Sequence, residues 1–422
     1  MRDAMAYSSD IDRGWAWLVV ASSFIIHTLT YGVAWSTGVY NTIFIDAFGD
    51  SKSVTAWAGS LTSASMYAVG PLASVLTNKF GCRPIVMVGG ALSAGGLMLS
   101  FFAPNIFYLY FSFGIMTGMG FGIAFIPAIT AVAHCFEKYR GIATGITVSG
   151  VGVGTFIFPP VITLLRHAFG WRSSLLLVGS ICLNICVCGA LLRPVRRVEL
   201  RQDKPKVFDV TAFRKCAYLF LVCNNVLVCF GLSIVYLHLM AFAEVSGRTE
   251  NESSMLMSSI GVANLIGRFA LGSFGNHTRV NVVIVYSVCF ILSGMTASFY
   301  PVLSNSYIAM VTLSSLFGFF TACFGALLPA LLVQILGIHR FANGYGFLMI
   351  FMALGQMIGG PFAGLLYDIT GSYDTSFYVG GSFIILGGVL PLFKACRKKV
   401  DNEMSEMEVA VVEEEKQPLP AA

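Results

Sequence analysis

"RGIATGITVSGVGVGTFIFPPVITLLRHAFG" (140–170) is glycine-rich, apolar and long enough to cross a bilayer, and its outline occurs twice in the chain. Laid without gaps on "FANGYGFLMIFMALGQMIGGPFAGLLYDITG" (341–371), it matches Gly145, Gly154, Pro160 and Gly170 to Gly346, Gly355, Pro361 and Gly371. All four pairs share one offset of 201 residues. A parallel duplication of a six-helix unit would make these segments the fifth and eleventh spans. The composition agrees. Of 422 residues 56% are hydrophobic and 11% charged, whereas soluble domains carry about a quarter charged residues. Such a chain lacks the charge to cover a water-soluble surface, and it reads as all-α and polytopic.

Working outward from the repeat, twelve apolar stretches have spanning length. They lie near 16–45, 54–77, 84–103, 107–134, 141–165, 173–192, 216–243, 254–275, 280–300, 305–335, 343–367 and 377–395. The expected organisation is a short segment 1–15, a six-helix bundle 16–192, a basic linker 193–215, a second bundle 216–395 and an acidic tail 396–422. With the N-terminus inside, the inner segments hold twenty-one Lys/Arg and the outer ones four. This asymmetry predicts that both termini are cytoplasmic. Two six-helix bundles facing each other is the architecture of the major facilitator superfamily, in which a substrate site lies between the halves and rocking alternates its access.

The eighth stretch contains "GVANLIGRFA" (261–270), with Arg268 near the middle of an apolar span. None of the 21 carboxylates falls in mid-span; Asp46, Glu244 and Asp368 stand at span ends. An intramembrane arginine costs about 2.5–3.5 kcal/mol and needs compensation. Snorkelling to an interface, a clamp on backbone carbonyls, and an anion site in a wet cavity are the three readings. The anion site is preferred, since a planar guanidinium grips a carboxylate through two hydrogen bonds. Asn264, four residues earlier, shares the helix face and serves as a ligand contact or as helix–helix glue. His27 and His238 are the intramembrane groups that titrate near neutral pH; each is a packed histidine or a proton relay. Trp35, in "YGVAWSTGVY" (31–40), and the run "LFGFFTACFG" (316–325) are candidate cavity walls.

No phosphate-binding loop, nucleophile elbow or zinc-protease motif is present, so an enzyme is not expected and no cofactor is implied. The eleven cysteines lack metal-site spacing. Two glycosylation sequons begin at Asn251 and Asn276, and only Asn251 is predicted to be external. Nothing points to a nucleic-acid partner; the bilayer and a small solute are the partners expected.

"DRGWAWLVV" (12–20), "CFEKYRGIATGITVSGVGVGTF" (135–156), "FGWRSSLLLVG", "GALLRP" and "GGPFAGLLYDITGSY" resemble signatures of the monocarboxylate transporters (solute carrier family 16), over about residues 12–395. On that resemblance Asp12, Trp15, Trp17 and Arg140 belong to signature segments on the cytoplasmic, gating side. The family's function would be transport of small carboxylates such as lactate and pyruvate across the plasma membrane. The resemblance implies an acid-x-x-x-arginine pair in the eighth span; here it reads Asn264 and Arg268, so the arginine carries over and the acid does not. A first-span lysine of the lactate carriers is matched by Val39. Both departures remove proton-coupling parts, so the chain looks like a divergent member carrying a carboxylate or zwitterion such as creatine or an amino acid. Proton-coupled lactate or pyruvate symport is the alternative, and a transport-inactive nutrient sensor or scaffold the alternative of another class. The family also implies a single-span immunoglobulin-type ancillary subunit.

Overall fold

The computed structural model describes residues 12–192, 213, 215–274, 281–337 and 340–392. The basic linker, the acidic tail, Asn276 and nearly all of segment 1–15 lie outside them. The described chain is helical. The first half holds α1 (Trp15–Phe48), α2 (Lys52–Ala68, continued by Gly70–Phe80), α3 (Cys82–Phe102), α4 (Ile106–Cys135), α5 (Arg140–Phe169) and α6 (Trp171–Leu191). The second holds α7 (Cys216–Val245), α8 (Glu250–Phe274), α9 (Val282–Leu303), α10 (Tyr307–Leu336), α11 (Phe341–Thr370) and α12 (Asp374–Leu392). Among the described residues eleven helices are long and apolar enough to span a membrane. The stretch expected at 54–77 is helical, but "KSVTAWAGSLTSASMYA" is too polar to count with them. Two of its hydroxyls, on Ser60 and Ser63, line a space between the halves, as shown below.

The repeat is visible in the packing. Gly154 of α5 lies against the Thr28 carbonyl of α1, where a Cβ would collide. Its partner in the repeat, Gly355 of α11, lies in the same way against the Val226 carbonyl of α7. Helix backbones approach this closely only where a side chain is missing. Proline adds a second device. Pro160 has no N–H to bond the carbonyl four residues back, and that carbonyl, on Phe156, accepts a hydrogen bond from Ser258 Oγ of α8 at 2.8 Å. Thus α5 is tied to α8 across the halves.

Stronger ties gather at the face opposite the termini. Arg166, near the end of α5, pairs with Asp46 of α1 at 3.0 Å and with Glu250 of α8 at 2.7 Å. Asp368 of α11 accepts the backbone N–H groups of Lys52 and Ser53, both at 3.0 Å, at the free N-terminus of α2. Ser53 Oγ also donates to the Pro361 carbonyl at 3.0 Å. These bonds clasp the two halves together at that face.

Candidate functional site

The start of α8 decides where Arg268 falls. "TENE" (249–252) forms a capping box: Glu252 accepts from the Thr249 N–H at 2.9 Å, and the Thr249 hydroxyl accepts from the Glu252 N–H at 3.3 Å. The helix therefore begins at Glu250, ahead of the apolar run. Arg268 accordingly lies eighteen residues, roughly 27 Å of helix rise, beyond that start. It does not snorkel. Its Nε donates to Asn264 Oδ1 at 2.8 Å, and its guanidinium lies against Gly325 of α10, where a Cβ would collide with Nη1. Asn264 in turn donates through Nδ2 to the Gly318 carbonyl of α10 at 3.2 Å. In this arrangement both ends of the Asn264 amide are engaged, and its visible role is to position the arginine.

Four tyrosines lie within electrostatic reach of that guanidinium: Tyr31 of α1, Tyr67 of α2, Tyr236 of α7 and Tyr345 of α11. Two come from each half, so the arginine lies near the junction between them. Among the described residues no carboxylate comes within ion-pairing distance of Arg268. Trp35 joins this group: its ring meets Tyr236 edge-on at 3.9 Å between centroids, across the halves, and neighbours Tyr31 at 6.2 Å. The 316–325 run contributes Phe317, which packs on Tyr236 at 6.0 Å, and Gly325. The sequence singled out Trp35 and this run but not the tyrosines. They come from four helices far apart in the chain, and each alone reads as a core aromatic.

The histidines are not brought together. His27 is fully buried, its Nδ1 2.7 Å from the Ser23 carbonyl and its ring edge-on to Phe125. His238 is also fully buried, with Nε2 2.9 Å from the Gly360 carbonyl and its ring beside Tyr373. A carbonyl can only accept, so the N–H must sit on the bonded nitrogen of each ring. His27 remains within electrostatic reach of Arg268. Val39 is fully buried.

The signature residues gather at the α4–α5 turn. Asp12 accepts backbone N–H bonds from Glu137, Lys138 and Tyr139 at 3.3, 3.1 and 3.2 Å. Desolvation opposes its charge, but these three bonds outweigh it and hold the carboxyl below its ordinary range. Arg140 Nε donates to the Phe136 carbonyl at 3.0 Å, and Trp17 stands edge-on to Phe136. Trp15 reaches elsewhere, donating to the Leu191 carbonyl of α6 at 3.1 Å. Asn251 is exposed in the first turn of α8, at the face opposite the termini. Among the described residues no cluster suits a metal ion and the cysteines are unbridged.

Comparison with known proteins places this geometry in a family. The Major Facilitator Superfamily model matches residues 23–293 and 249–410. Monocarboxylate transporter 13 of Bos taurus is 33% identical over 395 residues, covering 92% of this chain and 91% of its own length. Monocarboxylate transporter 12 of Rattus norvegicus is 30% identical over 428 residues, covering 93% and 88%. Monocarboxylate transporter 9 of Mus musculus is 28% identical over 494 residues, covering 94% and 97%. A duplicated helical bundle with an uncompensated arginine at its seam and relatives of this kind lead to one assignment: the chain is a multi-pass membrane protein of the monocarboxylate transporter family, within the major facilitator superfamily.

Proposed function

We propose that this protein is a secondary transporter of a small carboxylate-bearing metabolite, working at the plasma membrane by rocker-switch alternating access, with both termini cytoplasmic. The observation that carries this reading is the Arg268 guanidinium, held at Nε by a neutral amide and facing tyrosines from both halves. With Nε occupied, the two Nη groups remain to take a carboxylate end-on. The substrate supplies the counter-charge that the chain lacks. Trp35 and Tyr236, in contact across the seam, form a wall that would part and re-form as the halves rock. The Arg166 and Asp368 ties would then be the outer gate, closed in this conformation.

Strict proton coupling is not part of this reading. Asn264, which stands where the family resemblance implies an acid, cannot carry a proton. The test is uptake of labelled carboxylates into vesicles at two external pH values. Uptake that is similar at both is expected. Strong stimulation by external acid would instead establish proton symport, and absence of any carboxylate uptake would favour the sensor reading.

A further inference from the structure

Close to this site lies a small space. Thr37 of α1, Ser60 and Ser63 of α2, Ser233 and Tyr236 of α7, and Gln356 of α11 line a chamber between the halves. It opens on one side and admits about one water-sized group. Tyr236 joins it to that site, lining the chamber and standing within reach of Arg268.

The hydroxyl protons of the chamber are partly spent. Thr37 Oγ1 donates to the Ala34 carbonyl at 3.1 Å and Ser233 Oγ to the Gln356 carbonyl at 2.9 Å. Both oxygens are left to act as acceptors. Ser60 Oγ is buried, at 2% exposure for the residue, and has no hydrogen-bond partner. It lies against Gly360 of α11, where a Cβ would occupy its place. A buried unpaired hydroxyl is costly unless something satisfies it. No lining residue is charged, so an ammonium group would find no counter-ion there.

We propose that this chamber is the second pole of the substrate site, taking an uncharged hydroxyl or amide, which both accepts from Ser60 and donates to the Thr37 and Ser233 oxygens, at the end of the substrate remote from its carboxylate. The inference rests on the Arg268 reading. The substrate class is thereby narrowed to small carboxylates with a neutral hydrogen-bond donor, such as hydroxy or amide-bearing acids.

The test uses ω-hydroxy acids of three to six carbons, each paired with the acid that carries methyl in place of hydroxyl. Uptake into vesicles is measured for the native chain, Ser60→Ala and Arg268→Ala, each normalised to surface abundance. The native chain should prefer one hydroxy acid by about three- to tenfold, the range of a single net hydrogen bond. Ser60→Ala should bring that ratio towards one, and Ser60→Thr, which narrows the chamber with an added methyl, should lower it as well. Arg268→Ala should abolish uptake of both members. A ratio indifferent to Ser60, with Arg268→Ala still inactive, overturns the chamber alone and leaves it as the seat of an ordered water. Undiminished uptake by Arg268→Ala, or no uptake of either acid by the native chain, overturns the arginine reading itself.

Discussion

Arg166 and Arg268 are the same residue type in two regions, and they are treated oppositely. At the face away from the termini, Arg166 is saturated by Asp46 and Glu250, and its charge fastens one half of the molecule to the other. At the seam, Arg268 has a neutral amide as its close partner. A paired charge is a joint; an unpaired one in a low-dielectric setting is a vacancy for an anion. On the proposed reading the first arginine holds the two halves together and the second is kept for a ligand.

The largest expected effect comes from removing the unpaired charge. Arg268→Ala should lower carboxylate uptake by about 100-fold or more at equal surface abundance, the loss of one charge-assisted bidentate contact. Arg268→Lys should recover little, because an ammonium cannot reproduce the planar fork. Next, Asn264→Asp turns the second arginine into a copy of the first. The new carboxylate should compete with substrate and cut uptake at neutral pH by about tenfold, and uptake should become acid-stimulated as protonation frees the guanidinium. Uptake assays across external pH decide this.

Breaking the joint should have a smaller effect. With Arg166→Gln, a cysteine placed at Ser53 should react severalfold faster with an impermeant thiol reagent, as the closed face opens more often. The effect is modest because partly exposed ion pairs contribute roughly 0–1 kcal/mol. Smallest of all is Asp12→Asn, at a carboxylate held by backbone N–H groups and no arginine. Its carboxyl lies below the ordinary value of 3.8, so the stability it contributes is present above that pH and lost as the pH falls through its folded value. Thermal unfolding should show a small deficit for the variant that is constant from about pH 8 to 5 and fades below that ordinary value.

Much of the fold was legible in the sequence because its devices are local. The offset of 201 links Gly154 to Gly355, and both glycines prove to be contact points with equivalent helices. Arg268 and Asn264 share a face by helical spacing alone, and their hydrogen bond follows. The start of α8 was not legible, because hydropathy ignores the polar first turn, which a capping box makes helical. The tyrosine ring and the serine chamber were not legible at all. Each assembles from α1, α2, α7 and α11, drawn from both halves of the chain, and a single tyrosine or serine in a span carries no mark of what it will face.

The central claim is that Arg268 recognises a carboxylate by its charge. It is tested most directly by challenging uptake of a labelled acid with the same acid unlabelled or with its primary amide, which matches it in size and polarity but carries no charge. The account predicts full inhibition by the acid and almost none by the amide at equal concentration. Equal inhibition by the two would contradict it.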